Sequence, residues 1–289
     1  MAAVIAVLAQ GSMGAGIGRR LTESGAEVRT LLAGRSAASA ERARAAGMTP
    51  VADETALLSG ADIFLSILPP GDAEPLARRL APTLAALDKK PIYVDCNAVS
   101  PQTALRIADI VAPTGAAFVD AGIIGGPPQA GKRGPAVYAS GDKVGETLAL
   151  RDWGLDWRAL DGPVGAASGL KMSYAGITKG LTALGSAMML GAARFGCGEA
   201  LMAELADSQP ELLGYLRNSV PRMYDKAYRW VAEMEEISDF LGASPPSRDI
   251  YAAIARLYAD LAQAHQQTPP GPDNPIAALD RVLGRSGKG

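Results

Sequence analysis

Histidine is nearly absent from this chain of 289 residues, with His265 its only representative. That residue stands beside Gln266, Gln267, Thr268, Pro269 and Pro270, so a histidine-based catalytic triad is not expected, and acid-base work must fall to another side chain. Cysteine is scarce as well. Cys96 and Cys197 are too few for a disulfide framework or a zinc site, no bound metal is expected, and a reduced, cytoplasmic setting is the natural reading. Neither sign of charge is in excess, with 28 Lys and Arg against 30 Asp and Glu, which removes the electrostatic case for a nucleic-acid or anionic-membrane partner. Long apolar runs are missing too. The longest uncharged stretch, Gly180 to Ala193, is too short to span a bilayer, and the apolar opening, Met1 to Ala9, lacks the basic leader of a signal peptide.

What is present is concentrated at the start. Val4–Leu8 reads as a buried strand that opens, through a glycine-containing turn, into a helix-compatible segment near Ser12. Backbone N–H groups and the helix dipole at such a mouth form a pyrophosphate site. The G-x-G-x-x-G fingerprint places Ala9, Gly11 and Gly14 at its three glycine positions. A side chain at Gly11 would block the phosphates, and at Gly14 helix and strand pack closely. Ala9 is tolerable if the turn keeps its φ negative. Ser12 and Met13 complete the turn, and a nicotinamide or flavin nucleotide is the expected ligand.

Downstream, strands alternate with helices. Strands are expected at Glu27–Leu32, Asp62–Leu68, Pro91–Asp95 and Ala116–Asp120, with two shorter ones at Ala136–Ser140 and Trp157–Leu160. Helices are expected at Gly14–Ser24, Ala37–Ala46, Glu74–Leu87 and Pro101–Val111, the last with Ser100 as N-cap. This alternation implies a Rossmann-type, doubly wound α/β sheet covered on both faces. From Gly165 onward every segment reads helical: a long helix to Arg194, then Glu199–Leu205, Glu211–Asn218, Pro221–Leu241, Ser247–His265 and Pro275–Leu283. The expected division is therefore 1–164, a nucleotide-binding domain, and 165–289, an all-helical domain for substrate and dimerisation, with the long helix joining them.

That helix carries a stripe of small residues (Gly169, Ser173, Gly176, Gly180, Ala183, Ala187, Gly191) beside a bulkier one (Leu170, Ile177, Leu181, Leu184, Met188). Each interior glycine costs about 1 kcal/mol relative to alanine, so close backbone packing of a buried core helix is expected for most of its length. Lys171 and Lys179 stand out, because an ammonium is expensive to bury unless it is paired or faces a wet cleft.

Strand two ends in Leu31-Leu32-Ala33-Gly34-Arg35-Ser36, without the acidic residue that usually meets the ribose hydroxyls of NAD. Arg35 can fork onto a 2′-phosphate and Ser36 can donate to it at the following helix start, so NADP(H) is expected over NAD(H).

Five segments resemble the β-hydroxyacid dehydrogenase family, which includes 6-phosphogluconate and 3-hydroxyisobutyrate dehydrogenases. Gly11-Ser12-Met13-Gly14 resembles its Gly-x-Met-Gly turn. The run from Phe118 to Gly126 resembles its Asp-Ala-Pro-Val-Ser-Gly-Gly substrate loop, and that from Gly162 to Lys171 its catalytic-lysine segment. Ser66 to Pro70 and Asp95 to Asn97 fall where family loops line the nicotinamide. The helical remainder, with Glu233 to Ile237, is similar to a less characterised, phosphogluconate dehydrogenase-like branch. The resemblance implies hydride transfer between a nicotinamide and a small hydroxy or carbonyl compound, with Lys171 as acid-base group and Gly125 and Gly126 on the substrate. It also implies backbone contacts from Leu68, Pro69 and Pro70 and a carboxamide bond from Asn97. Lys179, Trp230 and Met234 are further candidates for the substrate pocket. Two departures bear on the substrate: the loop serine is Ile124, and the asparagine one turn after the lysine is Ala175. An imine reductase of similar architecture and a non-catalytic NADPH-binding regulator are the alternatives.

Overall fold

In the computed structural model, residues 3–129, 131–267 and 274–285 are described; positions 268–273 of the Pro- and Gly-rich stretch after Gln267 lie outside them. The chain divides into two compact units, Met1–Met172 and Ser173–Gly289. The division falls inside the long helix rather than ahead of it, because the first turns of that helix pack on the sheet.

The first unit is built on eight strands: β1 (Val4–Leu8), β2 (Glu27–Leu31), β3 (Thr49–Val51), β4 (Ile63–Ser66), β5 (Ile92–Asp95), β6 (Phe118–Ile124), β7 (Ala136–Ser140) and β8 (Asp156–Ala159). They lie in the order β3-β2-β1-β4-β5-β6-β7-β8. All neighbours are parallel except β6 and β7, which pair antiparallel from Asp120 opposite Ser140 to Ile124 opposite Ala136. The helices are α1 (Ser12–Glu23), α2 (Ala37–Ala45), α3 (Glu54–Leu58), α4 (Pro70–Ala86) and α5 (Pro101–Val111).

Strand alternation sorts the core into two layers. Ile5, Val7, Leu65, Val94 and Val119 join Ile17 and Leu21 of α1 on one face. Ala6, Leu8, Phe64 and Tyr93 join Leu76, Leu80 and Leu84 of α4 and Ile107 of α5 on the other. Strands covered on both faces read as continuous apolar runs, as VIAVL does. The chain winds outward from β1 to β3 and returns to β4 beside β1, so the crevice beyond the ends of β1 and β4 is the switch point where such sheets take ligands.

Three differences from the sequence reading have local causes. The edge strand β3 and the five-residue α3 were not expected; β3 is three residues long with Pro50 at its centre, which gives no period to detect. Strand β6 runs on to Ile124 instead of stopping at Asp120, because β7 pairs along its whole second half. The helix expected to start at Pro221 does not. Pro221 lies inside α8 (Pro210–Met223), and a 3-10 turn at Tyr224–Lys226 precedes α9 (Ala227–Phe240).

The long helix α6 (Ala166–Arg194) begins in the first unit and continues in the second, followed by α7 (Gly198–Ser208), α8, α9, α10 (Pro245–His265) and α11 (Pro275–Val282). In the second unit the small stripe of α6 meets its neighbours closely. A Cβ built on Gly176 or Gly180 would lie 3.1 or 3.3 Å from the Tyr251 hydroxyl of α10. The bulky stripe is not core, contrary to expectation. Ile177, Leu181, Leu184 and Met188 are exposed, Ile177 at 64% and Met188 at 66%, while Thr182 and Ser186 are buried. The polar pair is affordable inside because each hydroxyl donates to the carbonyl one turn back. No helix among the described residues is long and apolar enough to cross a membrane.

Candidate active site

The glycine turn sits at the switch point. Ala9 N–H donates to Ile67 O at 3.1 Å, which ties the end of β1 to the loop after β4. No non-glycine described residue has a positive φ, so Ala9 stands without left-handed strain in the first fingerprint position. Gly14 is required sterically: a Cβ there would lie 1.8 Å from the Ala9 carbonyl oxygen. A Cβ on Gly11 would meet nothing within 4 Å, so its surface faces open space. Gly11 is the N-cap of α1 and no side chain caps the helix, so the amides of Ser12, Met13 and Gly14 open it in the arrangement that suits an anion.

A residue not singled out from sequence, Gln10, locks this turn to β2. It is fully buried; its side-chain amide donates to Thr30 and, at 3.2 Å, to Leu31 O, and its backbone carbonyl accepts from Arg42 Nε at 2.9 Å. At the tip of β2, Ser36 caps α2 by accepting from Ser39 N–H at 3.2 Å, and Arg42 Nη2 donates to Ser39 Oγ at 3.0 Å. Arg35 is half-buried, and its guanidinium makes no bond to another described residue. No carboxylate lies between Leu31 and Ala40. Arg42 could have been noticed as a basic residue two turns into α2, but nothing in the sequence showed that it reaches back to Gln10.

Leu68 and Pro69 lead into α4, which starts at Pro70. Asn97 sits beneath this loop, 2% exposed. Its Oδ1 accepts from Leu68 N–H at 2.5 Å, and its Nδ2 donates to Ser66 Oγ at 2.9 Å and to Asp95. Both ends of the amide are thereby engaged within the protein. These bonds fix the Leu68 loop to the ends of β4 and β5.

Lys171 lies in the second turn of α6, half-buried, with no hydrogen bond or ion pair to any described residue. Its Cβ faces Gly122 of β6, where an added Cβ would come within 2.9 Å. Two residues further along β6, Ile124 lines a pocket of about 330 Å³ with Gly125, Gly126, Lys132 and Arg133. Gly125 has φ +128°, and a Cβ there would press on Pro135, so only glycine suits this corner. The hairpin that closes the pocket is held against α1. Arg20 Nη2 donates to Lys132 O at 2.9 Å, and a Cβ on Gly16 would lie 2.8 Å from Pro128. Arg133 is paired with Asp156 at 2.8 Å; Lys132 and Arg133 were not anticipated from the sequence.

In the second unit, Lys179 and Trp230 come together. The Lys179 ammonium forms an ion pair with Glu233, both side chains under 20% exposed, and lies 4.9 Å from the centroid of the Trp230 ring. Tyr258 donates to the Lys179 carbonyl at 2.6 Å and packs edge-on against Trp230. Met234 is fully buried. This is a structural clasp between α6, α9 and α10, and its charge is spent internally.

Comparison with known proteins agrees with this geometry. Residues 4–147 match the NAD binding domain of 6-phosphogluconate dehydrogenase, and residues 192–261 match a domain of unknown function, DUF1932. The chain belongs to the proteins that join this 6-phosphogluconate dehydrogenase-type NAD-binding domain to a DUF1932 domain. It is similar to an uncharacterised 28.5 kDa protein of Methanothermus fervidus, 32% identical over 158 residues, a match covering 55% of this chain and 59% of that one. A conserved protein of unknown function, described as structurally similar to 3-hydroxyacid dehydrogenases, superposes with a TM-score of 0.69 at 28% identity, over 91% of this chain and 98% of the other. The Mycobacterium tuberculosis 3-hydroxyisobutyrate dehydrogenase with L-serine has the same fold, with a TM-score of 0.74 at 18% identity over 98% and 99% of the two chains.

Proposed function

We propose that this protein is an NADP(H)-dependent oxidoreductase that moves a hydride between the nicotinamide and a small hydroxy or carbonyl compound, with Lys171 as the acid-base group. The observation that carries this reading is the state of Lys171: half-buried, unpaired among the described residues, and set against Gly122 of β6, two residues before Ile124 of the pocket. A lysine with no structural partner in such a position has a proton to give or take. The uncapped amides of α1 and the open face of Gly11 fit a diphosphate. Arg35, with Ser36, fits a 2′-phosphate where a carboxylate would repel it. When bound, the nicotinamide supplies the hydride chemistry. The chain's own part is to hold the Leu68 to Pro70 loop through Asn97 and to move one proton at Lys171 Nζ. The ammonium donates to a carbonyl oxygen during reduction, and the amine accepts from a hydroxyl during oxidation.

A small β-hydroxy acid or the matching aldehyde is the substrate class to try first, given the L-serine held by the mycobacterial relative. Ile124 in place of the family's loop serine favours a less polar group at that point. The exposed row Ile177, Leu181, Leu184 and Met188 has the alternating three- and four-residue spacing of a helix-pairing seam. That spacing supports a homodimer, and a cytoplasmic enzyme with no nucleic-acid, membrane or metal partner completes the reading.

The test is Lys171→Met. NADPH affinity, followed by fluorescence, should stay within about twofold. Turnover, measured by NADPH absorbance against a panel of hydroxy acids, aldehydes and cyclic imines, should fall about 10²–10⁴-fold. Undiminished turnover removes Lys171 from the chemistry. Turnover of imines alone makes the protein an imine reductase, and NADPH binding without any turnover makes it a regulator.

A further inference from the structure

Asp120 is a carboxylate at the centre of the first unit, with no solvent exposure, and the sequence reading gave it no role. Its strand is braced on both sides, Asp120 facing Asp95 of β5 and Ser140 of β7. One oxygen accepts from the Ser168 hydroxyl at 2.6 Å. The other accepts from the backbone N–H groups of Gly165 at 3.0 Å and Ser168 at 2.9 Å, and from the Ser140 hydroxyl at 3.3 Å. Ser140 Oγ in turn accepts from Ala167 N–H at 3.0 Å. The opening amides of α6 are thus gathered onto one buried anion, directly or through Ser140. This helix start is filled from within, whereas that of α1 is left open.

Side chains alternate along a strand, so Asp120, Gly122 and Ile124 share one face of β6. On that face Asp120 grips the first turn of α6, Gly122 receives Ala167 and Lys171 at contact distance, and Ile124 reaches the pocket. Lys171 lies three residues beyond Ser168, the neighbouring position one turn along. Height and rotation of the helix at Lys171 are therefore set by the clasp at Asp120. A buried carboxylate is costly unless its lone pairs are satisfied; here four donors satisfy them, all from the helix start or the strand beside it.

We propose that Asp120 is a positioning residue for Lys171, acting through the first turn of α6. The proposal rests on the acid-base reading of Lys171, and a double-mutant cycle separates the two. Asp120→Ala should lower kcat by about 30-fold or more, leave the Kd for NADPH within about twofold, and cause no further loss when combined with Lys171→Met. Asp120→Asn keeps an oxygen for the Gly165 and Ser168 amides and should restore turnover to within about fivefold of wild type. Should Asp120→Ala fail to fold, Ser168→Ala removes only the 2.6 Å bond. It should cost about three- to tenfold in kcat, again with no further loss when added to Lys171→Met. Equal losses with and without Lys171→Met, or full activity of Asp120→Ala, overturn the proposal. Full activity of Lys171→Met by itself overturns the acid-base reading instead.

Discussion

Gly122 and Lys171 are built against one another. A Cβ on Gly122 would stand 2.9 Å from the Lys171 Cβ and 2.8 Å from the Ala167 carbonyl oxygen. Neither neighbour is the free end of a flexible chain, so the helix itself would have to move. Gly122→Ala should destabilise the first unit by about 1–3 kcal/mol, the usual cost of overpacking, visible as a lower urea midpoint. Because a displacement of about 1 Å at a reacting group can cost about 10²-fold, kcat should fall at least tenfold while NADPH affinity holds. A variant as active as wild type would show that α6 has room to spare.

Cofactor choice should follow Arg35. Wild-type protein is expected to prefer NADPH over NADH by about tenfold or more in kcat/KM, equivalent to about 1.4 kcal/mol. Arg35→Ala should bring the two cofactors to within about twofold by weakening NADPH alone. Equal use of both by the wild type would remove the 2′-phosphate role.

The exposed seam of α6 predicts self-association. Sedimentation at micromolar concentration should give a dimer, and Leu181→Glu with Leu184→Glu should give a monomer, since like charges would face one another along the seam. A wild-type monomer would leave this apolar row without a partner copy.

Asp120 also makes a prediction about pH. Burial raises its pKa above the ordinary carboxylate range, against the opposing hydrogen bonds from Ser168, Gly165 and Ser140. A carboxyl with a raised folded pKa contributes stability that is fully present below its unfolded pKa, about 3.9. That contribution is lost as pH rises through the folded value. The thermal midpoint of Asp120→Asn minus that of wild type should therefore grow more positive as pH increases upward from about 4. A flat difference would mean that Asp120 titrates normally.

Much of the first unit was legible because its elements obey simple periods. The apolar run Val4–Leu8, the glycine turn and the capped start at Ser100 are each set by neighbours in sequence. The continuation of β6 to Ile124 was not, because it depends on pairing with Ala136–Ser140 across a hairpin. The bulky stripe of α6 misled for a related reason: periodicity shows that one face is apolar, not whether anything covers it. Within the candidate site, Gly11, Gly14 and Lys171 could be proposed from residue type and spacing. The partners of Asn97 could not be read from sequence, since Ser66, Asp95 and Leu68 are brought to its amide by the pairing of β4 with β5. Asp120 left one faint trace, a charged residue closing an otherwise apolar strand.

The bonds of Gln10 have a practical consequence for anyone redesigning coenzyme selectivity. Its buried side-chain amide holds Thr30 and the Leu31 carbonyl, and its backbone carbonyl holds Arg42, all at the turn proposed to meet the diphosphate. Exchanging Thr30 or Arg42, which bond through their side chains, would disturb the turn and the end of β2 at once, costing affinity for either coenzyme. Arg35 stands outside this wiring, so it is the position where a selectivity swap can begin without loosening the rest.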